Sequence, residues 1–116
     1  MVSLRGPARL VSPAPARLAA LADGFIALPG GAGTLEEIFE QWTWAQLGIH
    51  EKPCAFLNIK GYYDPLQAMV DNMVREGFMH PRYAEMLPFA DSVEEIIAGF
   101  RDYTPPARKW VQQPAI

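Results

Sequence analysis

The residues with the clearest chemical potential lie between Phe25 and Glu37, in the run FIALPGGAGTLEE. Gly30, Gly31 and Gly33 allow a backbone to approach a ligand closely and to adopt positive φ. A helix beginning at Thr34 would place unpaired N–H groups and the positive end of its dipole at that turn, which together attract an anion such as phosphate. The Thr34 hydroxyl would add a donor. Tight strand-to-helix turns also use glycine for purely steric reasons, so the glycines alone leave both readings open. Glu37 sharpens the choice. Side chains on a helix lean toward its N-terminus, so this carboxylate can reach a sugar whose phosphate is held at the turn. The competing reading is that Glu36 and Glu37 only complement the helix dipole, worth about 0.3–1 kcal/mol each. A carboxylate beside an anion is electrostatically awkward. It is better tolerated where it binds ribose hydroxyls or stabilises an oxocarbenium-like sugar.

These residues need a scaffold, and the hydrophobic pattern supplies one. Residues 25–28 form a continuous apolar run of strand length, the mark of a strand covered on both faces of a parallel sheet. The helix after the turn should run to about Leu47, with Gly48 closing it. Leu35, Ile38, Phe39, Trp42, Ala45 and Leu47 give it more than one apolar stripe, predicting burial on two sides. Residues 53–59 read as the next buried strand. Asp64-Pro65 predicts a capped helix start, followed by an inner face of Leu66, Met69, Val70 and Met73 and an end at Gly77. Residues 87–90 form a short strand that Pro88 assigns to a sheet edge. Ser92 and Glu95 make a capping box for a last helix carrying Val93, Ile96, Ile97 and Phe100. Before the glycine turn, a short helix capped by Ser12 and ended by Gly24 is expected, with residues up to Pro15 irregular. Strand–helix alternation with three strands predicts an α/β fold with a parallel sheet.

With 116 residues, half of them apolar and a fifth charged, the chain has the composition of one soluble globular domain or part of one. A formal charge of −3 with scattered basic residues speaks against a nucleic-acid surface. No apolar run is long enough to span a membrane, and the opening residues make a poor secretory signal, so a cytoplasmic location is expected. Cys54 stands alone and reads as a small buried hydrophobe. His50 and His80 are isolated, without ligand spacing for a metal. Trp42 and Trp44 read as packing residues, one toward the sheet and one toward a partner. Asp64, Glu94 and Glu95 are accounted for by helix capping and helix-end electrostatics. Tyr62 and Tyr63 stay unassigned.

The segment PGGAGTLEE resembles the PGGxGTxxE signature of the LONELY GUY family of cytokinin-activating phosphoribohydrolases, labelled "lysine decarboxylase-like". The resemblance continues through WTWAQLGIHEKP, LNIKGYYDPL, EGF and PPARKW. It implies a three-layer Rossmann-like fold, here the C-terminal half of the full family domain, and a homodimer with the long helix near the subunit interface. The implied activity is hydrolysis of the N-glycosidic bond of nucleoside 5′-monophosphates, cytokinin riboside monophosphates or AMP. It needs no cofactor or metal. Gly30, Gly31, Gly33 and Thr34 match the phosphate-binding turn, and Glu37 matches the catalytic glutamate. The family's Met-x-x-Arg-Lys motif has no counterpart, its arginine and lysine falling at Ala14 and Pro15. The boundaries implied are a non-matching segment at 1–15, a partial domain at 16–104 and an irregular tail at 105–116. A truncated or frame-disrupted reading of a longer gene is the expected origin. The alternative activity is that of a non-catalytic phosphate-binding module or an inactive fragment.

Overall fold

The computed structural model describes residues 22–105 in full, and residues 2–5 and 9–11 as backbone. The strands are β1 (Val2–Arg5), β2 (Arg9–Val11), β3 (Gly24–Ala27), β4 (Cys54–Leu57) and β5 (Phe89–Ala90). The helices are α1 (Ala32–Leu47), α2 (Asp64–Arg75), α3 (Pro81–Glu85) and α4 (Val93–Arg101), with a 3-10 turn at Ile59–Gly61. The five strands form one sheet in the order β2-β1-β3-β4-β5. β3, β4 and β5 are parallel, Phe25 lying beside Cys54 and Phe56 beside Phe89. This is the predicted α/β arrangement, and β5 is the predicted edge.

The expectation of irregular backbone up to Pro15 is corrected at residues 2–5 and 9–11. β1 pairs antiparallel with both β3 and β2. A bare edge on β3 would leave a row of amides and carbonyls without ladder partners, and a short extended segment can satisfy them without any apolar period. The helix predicted after Ser12 lies outside the described residues, as does the tail beyond Pro105. Gly24 opens β3 instead of ending that helix. A Cβ there would come within 2.8 Å of the Phe100 ring, so its absence lets α4 lie close on the sheet.

Every residue of β3 and β4 is buried, because alternate side chains enter two different cores. On one face Phe25, Ala27, Cys54 and Phe56 pack with Ile38 and Trp42 of α1, Val70 of α2 and Tyr83 of α3. On the other, Ile26, Ala55 and Leu57 meet Ile96 and Phe100 of α4. Phe56 organises the first core: it stacks on Phe89, centroids 4.7 Å apart, and meets the edge of Tyr63 at the same separation. The three layers are therefore helices, sheet and helix.

One expectation about helix faces changes. In α1 only Ile38, Gln41 and Trp42 are buried, and the second apolar side is the one expected to meet a neighbouring helix or a second subunit. Trp42 is the packing residue of the tryptophan pair, with its indole N–H donating to Tyr83 O at 2.9 Å. In α2 the inward residue is Val70, whereas Met69, one helical step around, is 49% exposed and fills no core. No helix among the described residues is long and apolar enough to cross a membrane.

Candidate active site

The glycine turn leaves the carboxyl end of β3, the edge at which open α/β sheets bind ligands. α1 starts at Ala32, earlier than the Thr34 start that the sequence predicts. Gly31 occupies the cap position and no side chain caps the helix. The first rung into the turn is Leu35 N–H donating to Gly31 O at 3.2 Å. By helix geometry the amides before that rung have no intrahelical acceptor.

The glycines there divide into two kinds. None of Gly30, Gly31 and Gly33 is among the positive-φ glycines, which are Gly48, Gly61 and Gly77, so the expected need for positive φ at this turn is corrected. Gly30 serves close approach, since a Cβ on it would collide with the Thr34 hydroxyl folded against the turn. At Gly31 and Gly33 a Cβ would meet nothing within 4 Å among the described residues. The steric explanation of the turn therefore holds at Gly30 and fails at Gly31 and Gly33. Their bareness keeps open the space in front of the helix amides.

Of the two glutamates, Glu36 is exposed and Glu37 half-buried. With the helix starting at Ala32, neither lies in the first turn. Dipole stabilisation fades beyond that turn, so helix-end electrostatics no longer account for them. Glu37 follows Gly33 and Thr34 by four and three positions, which puts all three on one helical face. The next residue along that face, Gln41, is buried and accepts from His50.

Two side chains that the sequence left unassigned act on the turn. The Tyr62 hydroxyl donates to Gly30 O at 2.6 Å, and the Tyr63 hydroxyl donates to Leu28 O. Burial pushes the Tyr63 phenol pKa upward, and the neighbouring Tyr62 adds to this. Asn58 places the pair: its side-chain oxygen accepts from Tyr63 N–H at 2.7 Å and its amide donates to Asp64 at 2.8 Å. Asp64 thus lies within α2, whose cap is Tyr63, and its carboxylate serves Asn58 instead of capping the helix. A signal for the tyrosines was present, because residues just beyond β4 must share the carboxyl edge with the turn beyond its parallel neighbour β3.

The isolated histidines have structural partners. His50 Nδ1 accepts from Lys52 N–H at 3.0 Å, so the proton sits on Nε2 and faces Gln41. Burial, with Lys52 assisting, lowers its pKa to about 4. His80 caps α3 by accepting from Arg82 N–H at 3.2 Å. Burial pushes the Cys54 thiol up to about 12, which makes it a poor nucleophile. Ser92 caps α4 as expected, accepting from Glu95 N–H at 3.2 Å.

Fold and turn define an open α/β protein with a glycine turn ahead of a helix and a carboxylate on the same helical face as Gly33 and Thr34. Residues 15–100 match the family described as "Possible lysine decarboxylase", and this chain belongs to that family. It is 49% identical over 90 residues to the cytokinin riboside 5′-monophosphate phosphoribohydrolase LOG1 of Arabidopsis thaliana. It is 46% identical over 98 residues to the probable cytokinin riboside 5′-monophosphate phosphoribohydrolase LOGL2 of Oryza sativa subsp. japonica. These alignments cover 78% and 84% of this chain but only 42% and 40% of the relatives, so the chain spans well under half their length.

Proposed function

We propose that this chain carries the phosphate-binding turn and catalytic carboxylate of an N-glycosidase acting on nucleoside 5′-monophosphates. Water attacks the anomeric carbon of the ribose, and the carbon–nitrogen bond breaks with its electron pair leaving on the base. One water proton goes to the base, the hydroxyl stays on the sugar, and the products are free base and ribose 5-phosphate. Gly30, Gly31, Gly33 and Thr34 form the cradle for the 5′-phosphate. Binding energy from that remote group holds the sugar in place for reaction. Glu37 orients the ribose hydroxyls and stabilises the positive charge that develops on the ring. The base is adenine or a cytokinin-type substituted adenine, a choice supported by the names of the relatives. The active unit is a cytoplasmic homodimer, which would cover the half-buried Phe39, Trp44 and Leu47 of α1. The domain limits proposed are residues 16–104.

The observation that carries this reading is the pair of glycines, Gly31 and Gly33, whose missing side chains are required by no contact within the described residues and by no positive φ. The test is incubation of the purified chain with AMP while free adenine is followed. Glu37→Ala should slow release about a hundredfold or more, the scale of losing a charge-stabilising group in a transition state. AMP binding with no release would reduce the chain to a binding module. Absence of both AMP binding and adenine release would reject the proposal.

A further inference from the structure

The cradle depends on the direction in which one peptide plane faces, and a side chain outside the turn controls that plane. In a trans peptide the Gly30 carbonyl and the Gly31 N–H point to opposite sides. The Gly30 oxygen is the acceptor that the Thr34 amide would use if the helical ladder extended one rung further toward the N-terminus. That rung is absent from the hydrogen bonds of the turn, and the oxygen accepts from the Tyr62 phenol at 2.6 Å. One phenol thereby does three things. It leaves the Thr34 amide available outward, and it holds the Gly31 amide pointing away from the phenol. It also occupies an oxygen lone pair that would otherwise repel a bound anion.

Resting on the reading of the turn as a phosphate cradle, the geometry points to Tyr62 as a positioning residue that selects phosphorylated over unphosphorylated nucleosides. Tyr63 anchors the segment from below, buried against Phe56 and bonded to Leu28 O. Tyr62 is 53% exposed and meets the edge of the Tyr63 ring at 4.9 Å. Its ring therefore contributes little to the core, and its hydroxyl can be removed without opening a cavity.

The experiment is Tyr62→Phe in the full chain, with melting temperature and calorimetric affinity measured for inorganic phosphate, AMP and adenosine. The expected result is an unchanged melting temperature without ligand, unchanged adenosine affinity, and phosphate and AMP affinities about threefold to tenfold weaker, the size of one neutral hydrogen bond. Equal phosphate affinity in variant and wild type would overturn the role of Tyr62 while leaving the cradle intact. An equal loss for adenosine and AMP, or a lowered melting temperature with no ligand, would reduce Tyr62 to a structural residue. Failure of the wild-type chain to bind phosphate would remove the cradle itself, and this inference with it.

Discussion

The two ends of α1 are both built on glycine, and they are built in opposite ways. At the C-terminal end Gly48 has φ 76°, a conformation costly for any side chain, and its amide donates to Ala45 O. Ile49 N–H donates to Trp44 O, Lys52 N–H donates to His50, and His50 faces Gln41. Every glycine and polar group named there has a use inside the fold. At the N-terminal end Gly31 and Gly33 show no such internal use, the amides precede the first helical rung, and two phenols occupy backbone carbonyls. One end is closed upon itself and the other is open toward the solvent. A glycine is informative about function when the fold does not need it.

That contrast can be broken by substitution at either end. The largest effect is expected for Gly31→Val. A Cβ at Gly31 meets no described neighbour, so no steric clash should lower the melting temperature. Phosphate affinity should fall roughly tenfold to a hundredfold as the cradle fills, the size of losing one or two charge-assisted bonds. If calorimetry showed undiminished phosphate binding, the open end would have no function of this kind. Gly48→Ala should do the reverse. Forcing a side chain into the left-handed region costs about 1–2 kcal/mol, visible in urea unfolding, with phosphate affinity preserved.

A further effect at the closed end is expected from pH. The folded-state pKa of His50 is lowered from 6.5 to about 4, so the unfolded chain binds the proton more readily between those values. The stability that neutral His50 contributes is complete above pH 6.5 and is lost as the pH falls toward about 4. His50→Gln should flatten the fall in melting temperature across that window. An unchanged slope would show that His50 does not report on the closed end.

Much of the scaffold was readable from residues alone. The apolar runs of β3 and β4, the edge position of β5 and the Ser92 cap all follow from short-range pattern, because burial and capping are decided by neighbours within a turn or a strand. Asp64 does stand in the first turn of its helix, and only its capping role was misread, for a physical reason. As a carboxylate before proline it has the form of a cap, yet Asn58 competes for it across the end of β4. Met69 was misread because an apolar stripe on a helix can be wider than the surface that covers it. The strands β1 and β2 were missed because they are four and three residues long: the alternation Val2-Ser3-Leu4-Arg5 is too brief to stand out, and their pairing satisfies backbone groups that every sequence possesses.

The candidate site divides along the same line. Gly30, Gly31, Gly33, Thr34 and Glu37 lie within one turn and the helix that follows it, so their spacing alone brings them together. Tyr62 is thirty-two positions from its acceptor, Gly30 O, and Tyr63 thirty-five from Leu28 O. Only the parallel pairing of β3 with β4 sets the ends of those strands side by side and brings the phenols to the turn. Local sequence determined which groups could receive an anion. The tertiary structure decided which of them stay free to do so, because that depends on acceptors and donors supplied from distant parts of the chain.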